Sequence, residues 1–112
     1  GCHIKIYLFT GRIDMRKGAA SLAILAGTLI HETICEDRMF IFRGKSADKV
    51  KILWWDGQGF CLYYKCLDQG KFIWPSLNDN VSINISAAQL SMLLEGIDWR
   101  MIKWSKPFER VE

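Results

Sequence analysis

The apolar positions along the chain change their period several times, and each change marks an element. Ile4 to Phe9 is rich in β-branched and aromatic residues, ends at Thr10-Gly11 and predicts a first strand. Met15, Ala19, Leu22, Ala23, Ala26, Leu29 and Ile30 then recur at spacings of three and four, which predicts an amphipathic helix over about 15–31. Asp14 is the expected N-cap, because its carboxylate can accept from the free N–H groups of a first turn. Met39 to Arg43, Lys49 to Trp55 and Phe60 to Leu67 read as three further strands. The last two are joined by Asp56-Gly57-Gln58-Gly59, a hairpin signal. Lys71 to Trp74 predicts another strand, stopped by Pro75, and Val81 to Ile85 a short final one. Ser86 opens a second helix with Ala87, Leu90, Leu93 and Leu94 on one face. Beyond Asp98 no period is evident.

A turn centred on Gly57-Gln58 fixes the hairpin register. Trp55 then opposes Phe60, Leu53 opposes Leu62 and Lys51 opposes Tyr64 on one face. Trp54, Ile52 and Val50 oppose Cys61, Tyr63 and Lys65 on the other. Both faces are largely apolar, so one meets the helices and the other is either covered as well or a binding surface. The predicted fold is α+β: a mainly antiparallel meander of four or five strands with two packed helices. Residues 1–100 form a single domain in this reading and residues 101–112 a tail.

The composition agrees with one self-standing domain. Of 112 residues, 50% are hydrophobic, enough for a core without staples and too ordered a composition for a disordered segment. No apolar run is long enough to span a bilayer, and no basic-then-apolar leader opens the chain, so a cytoplasmic protein is expected, nucleoid-associated if it binds DNA. Cys2, Cys35, Cys61 and Cys66 lack the paired spacing of a zinc site, and with only His3 and His31 beside them no metal or other cofactor is expected. Free thiols in a reducing compartment are the expected state.

The net charge of +3 is modest, but it is unevenly distributed. Lys5, Arg12, Arg16 and Lys17 stand against Asp14 in the first twenty residues, and Arg43, Lys45, Lys49 and Lys51 against Asp48 in the next basic stretch, each a local +3. Cations ahead of a helix oppose its dipole, a conflict that a bound phosphate relieves, although long side chains extending into water relieve it too. Trp55, Tyr63, Tyr64 and Trp74 are interleaved with Lys51, Lys65 and Lys71, a pattern that serves base stacking or core packing. Gly44-Lys45-Ser46 resembles the end of a phosphate-binding loop, but Met39 occupies the position of its first glycine and strands lie on both sides. No nucleophile–base arrangement is suggested, and the chain does not read as an enzyme.

Several motifs in order resemble one known family. Thr10-Gly11 followed by Asp14-Met15-Arg16-Lys17-Gly18, Phe40-Ile41-Phe42-Arg43-Gly44 and Lys51-Ile52-Leu53-Trp54-Trp55-Asp56-Gly57-Gln58-Gly59-Phe60-Cys61-Leu62 carry its first two thirds. Phe72-Ile73-Trp74-Pro75, Gln89-Leu90 and Leu93-Leu94-Glu95-Gly96-Ile97-Asp98-Trp99-Arg100 carry the rest. The chain resembles the TnpB accessory proteins, second-reading-frame products of the bacterial insertion sequence sixty-six family. It departs from them at Thr33-Ile34-Cys35-Glu36-Asp37, where the family often has Asp-Pro-Phe-Ser-Gly. The resemblance implies a mobile-element protein acting beside a separate, larger transposase, with no catalytic residues to carry over.

Two functions follow as alternatives. In one, Arg12, Arg16, Lys17, Arg43, Lys45, Lys49 and Lys51 contact DNA phosphates, weakly and salt-sensitively in isolation, and help to assemble the transposase complex. In the other, the domain binds the transposase without touching DNA, through an aromatic sheet face or the C-terminal helix, with Trp55, Trp74 and Trp99 as partner contacts.

Overall fold

In a computed structural model, which describes residues 4–31, 34, 36–75 and 82–100, the chain forms a five-stranded sheet with two helices. The elements are β1 (Lys5–Arg12), α1 (Ala19–Ile30), β2 (Arg38–Arg43), β3 (Lys49–Trp55), β4 (Phe60–Cys66), β5 (Ser82–Ile85) and α2 (Ala87–Leu94). The sheet order is β4-β3-β2-β1-β5. β2, β3 and β4 form the expected antiparallel meander, and β5 adds to β1 antiparallel. β1 and β2 are parallel, with α1 as their crossover, and this is the one parallel pairing in the sheet. The α+β reading therefore holds, with a βαβ unit built into one half.

The hairpin register is the one the turn dictates. Trp55 pairs with Phe60, Leu53 with Leu62 and Lys51 with Tyr64, and the intervening pairs follow on the other face. The turn is held by Asp56, whose carboxylate accepts from the N–H groups of Gln58 at 2.8 Å and Gly59 at 2.9 Å. Those bonds hold the carboxyl below the usual range. Gly57 adopts φ +100°, a conformation that L side chains rarely take.

Among the described residues a hydrophobic cluster packs on each face of the sheet. On one side, Tyr7, Phe9, Phe40, Phe42 and Leu53 pack under Leu22 and Ala26 of α1. The four aromatic rings lie nearly parallel, with neighbouring centroids 5.0–6.5 Å apart. On the other side, Ile6, Leu8, Ile41, Val50, Ile52 and Ile85 pack against Leu93 of α2, Phe72 and Trp99. α2 opens with a full capping box: the Ser86 hydroxyl accepts from the Gln89 N–H, and the Gln89 side chain accepts from the Ser86 N–H. Lys65 of β4 donates to the Leu94 carbonyl at 2.7 Å, a cation at the negative end of this helix.

Two expected elements are corrected. Residues 71–74 are not a strand. They fold as irregular chain over the α2 face, where Phe72 is 3% exposed and its N–H reaches the Ala47 carbonyl at 2.8 Å. Burying Phe72 beneath the sheet outweighs adding a short strand to the β4 edge. Asp14 is not the N-cap of α1. The helix begins four residues later, behind Gly18, which makes no side-chain cap bond. The Asp14 carboxylate instead accepts from the Arg16 N–H at 2.9 Å, closing a turn of its own. The expected tail lies outside the described residues.

One buried group has no partner among the described residues, the hydroxyl of Tyr7. An unmatched hydroxyl in a core is unfavourable, so Tyr7→Phe is expected to raise stability by about 1 kcal/mol in urea denaturation. A loss of stability would show that the hydroxyl is hydrogen-bonded in solution.

Candidate functional site

The last residues of the parallel strands, Arg12 and Arg43, stand side by side in register. From them the chain enters two loops, 13–18 ahead of α1 and 44–48 ahead of β3, and these loops meet. The Ile13 N–H donates to the Arg43 carbonyl at 2.9 Å. Gly44 passes so close to Met15 that a Cβ there would lie 2.6 Å from its Cγ, which is why this position takes glycine. Between the loops lies a cleft of about 390 Å³ lined by Ile13, Asp14, Met15, Arg16, Lys45, Ser46 and Lys49. The two basic stretches of the sequence thus converge at one end of the sheet.

Lys51 builds this end rather than presenting its charge there. It is 6% exposed, and its ammonium donates to the carbonyls of Met15 and Lys17, each at 2.7 Å, with the Tyr64 ring 4.8 Å away. These bonds hold the 13–18 loop away from helical geometry, which explains the late start of α1. The expectation that Lys51 contacts phosphate is corrected accordingly. Its position was legible as a lysine inside the apolar run Val50 to Leu53, directly across from Tyr64.

The remaining cations differ in how far they are engaged. Arg16 is almost fully exposed and pairs with Asp14, Nη2 to Oδ2 at 2.6 Å. That pair holds the Asp14 carboxyl far below the usual range and raises the guanidinium. Lys49 lies 3.3 Å from Asp48, whose carboxyl is lowered first by the Ser46 hydroxyl and then by Lys49. Lys17, Lys45 and Arg12 are exposed and make no ion pair among the described residues. Arg43 is only 8% exposed; its Nε donates to the Gly44 carbonyl at 3.4 Å, and its guanidinium lies 5.1 Å from the centre of the Trp74 ring. Burial, and then the charge of Arg12, pushes its pKa down.

The three tryptophans expected to meet a partner fare differently. Trp99 is 4% exposed and donates its indole N–H to the Ile73 carbonyl at 2.6 Å, so it belongs to the core and that expectation is corrected. Trp74 is half-buried, with its N–H on the Ala47 carbonyl at 3.3 Å and Arg43 against its ring. Trp55 is half-buried edge-on to Phe60. The exposed aromatics among the described residues are instead Phe60, Tyr63 and Tyr64, all on the outer strand β4. Their place in the β4 run was visible in the sequence, but the position of that strand at the edge of the sheet was not.

The architecture is that of a small α+β domain with a basic end, and among the described residues no helix is long and apolar enough to cross a membrane. The family model for IS66 Orf2 like protein matches residues 4–104, and the chain belongs to that family. It is thereby a transposition-associated accessory protein of an insertion sequence, from a family not known as catalytic. Uncharacterized protein y4hO of Sinorhizobium fredii is 45% identical over 100 residues, covering 89% of this chain and 86% of that protein. Uncharacterized protein y4jC of the same organism is 36% identical over 108 residues, covering 96% and 90%. No solved structure matches the chain.

Proposed function

We propose that the protein contacts DNA phosphates through its basic end and helps to assemble the transposase complex. The supporting observation is the meeting of the 13–18 and 44–48 loops, which brings Arg16, Lys45 and Lys49 around one cleft, with Lys17 exposed on the same 13–18 loop. Asp14 and Asp48 offset part of that charge, so binding by the isolated protein is weak and salt-sensitive. Phosphate contacts position a protein without reading sequence, so element-end and random duplexes bind alike.

A fluorescence-anisotropy salt titration tests this. Log affinity is expected to fall linearly with log salt, at about −0.9 per phosphate contact. Lys17→Gln and Lys45→Gln are each expected to weaken binding to every duplex and to flatten the slope by about one unit. No binding at low salt, with or without the transposase, defeats the DNA reading. The second reading, docking on the transposase alone, then takes its place. It is favoured by Phe60, Tyr63 and Tyr64 exposed on β4, whose outer edge pairs with no strand among the described residues and can take an extended segment as a further strand.

A further inference from the structure

Arg12 and Arg43 form an arrangement that the rest of the basic end does not share. They are register partners at the carboxyl ends of the two parallel strands, beyond an irregularity in β1 between Leu8 and Arg12, and the charge of Arg12 acts on Arg43. Arg43 is 8% exposed, walled on one side by the Trp74 ring, which is itself held by the bond from its indole N–H to the Ala47 carbonyl. The one hydrogen bond of its guanidinium is the long contact from Nε to the Gly44 carbonyl, and Nη1 and Nη2 hold none among the described residues. The nearby carboxylates are engaged elsewhere, Asp14 with Arg16 and Asp48 with Lys49. A little-exposed arginine beside a second one, with no ion pair among the described residues, is an unfavourable arrangement for a protein to hold empty.

We infer that Arg12 and Arg43 form a binding site for a doubly charged phosphomonoester, with Trp74 fixing the plane of the Arg43 fork. Guanidinium nitrogens in a fixed fork suit the oxygens of a phosphate. A phosphomonoester carries close to two negative charges at neutral pH, which matches two guanidiniums, whereas each backbone diester of DNA carries one. The inference deepens the DNA reading and rests on it for one point only, the source of the phosphate. In a DNA-binding protein that source is the 5′-phosphate at a strand end. The site then distinguishes a DNA end from the interior of a duplex, while the cleft of Arg16, Lys45 and Lys49 holds the backbone beside it.

The test compares otherwise identical short duplexes bearing 5′-phosphate or 5′-hydroxyl ends, with inorganic phosphate as competitor. The phosphorylated duplex is expected to bind about tenfold more tightly, as a charge-assisted pair of hydrogen bonds would give. Millimolar inorganic phosphate is expected to erase that preference. Arg12→Gln, at an exposed position, and Arg43→Lys, which keeps the charge and loses the fork, are each expected to bring the ratio of the two affinities close to one. Circular dichroism of both variants verifies that they are folded. Equal affinity of the wild type for the two duplexes overturns the inference and leaves the DNA reading standing if binding remains salt-sensitive. If neither duplex binds, yet inorganic phosphate raises the melting temperature of the wild type and not of Arg12→Gln, the DNA reading fails and the phosphate site stands.

Discussion

Phe40→Ala is expected to lower stability by about 3–5 kcal/mol in urea denaturation, a large share of what a domain of this size possesses. Phe40 is fully buried on the α1 face, in contact with the rings of Tyr7 and Phe9 on the adjacent strand. Truncation removes the apolar area of a whole ring and leaves a void between β2 and α1 that a rigid sheet cannot close. Half-buried Trp55 provides the comparison, because its ring touches Phe60 at the end of the hairpin and Trp55→Ala opens no cavity beneath a helix. Its loss is expected to be less than half that of Phe40→Ala. Equal losses for the two variants would mean that the ring stack is not the centre of this core.

Lys51→Met is the second large effect, and it joins stability to the basic end. The substitution keeps most of the aliphatic stem and removes only the ammonium, so the carbonyls of Met15 and Lys17 each lose a bond of 2.7 Å. An acceptor stripped of a charged donor inside a protein costs roughly 1–3 kcal/mol, and a total loss of about 2–4 kcal/mol is expected in urea denaturation. Released from its anchor, the 13–18 loop no longer holds Arg16 at the cleft it shares with the 44–48 loop. Affinity for duplex DNA, measured by anisotropy on the folded variant, is therefore expected to drop beyond what the loss of one surface charge would give. A variant of unchanged stability would contradict the role assigned to Lys51.

The hairpin was readable to the residue because Asp56-Gly57 sets the turn and the turn sets every pair of β3 and β4. Ser86 and Gln89 announced α2 in the same local way. Local signals failed where a distant group intervened. The three-and-four spacing that includes Met15 is real, but Lys51, thirty-six residues away, binds the Met15 carbonyl and delays α1. The run Phe72 to Trp74 has strand composition, yet its first residue is buried under the sheet and its last packs on Arg43. In the site, charge counting found the cations but gave all of them one role. Burial separates them: Lys51 becomes a brace, Arg43 a half-enclosed fork, and Lys17 and Lys45 remain open to solvent. Neither periodicity nor spacing reports burial at a strand end.

The position of β1 has a consequence for the order in which the sheet is completed. β1 lies inside the sheet, with Lys5 beside Arg38 on one flank and Ile6 beside Ile85 on the other. During synthesis it emerges with both edges open, gains its first neighbour only after α1 has been made, and its second only once β5 has left the ribosome. The β2–β4 meander, by contrast, closes from contacts near in sequence, which form at small entropic cost. β1 is thus sealed later than the strands that follow it up to β4, and a chain cut short before residue 82 leaves an apolar strand, Ile6 to Phe9, with an open edge.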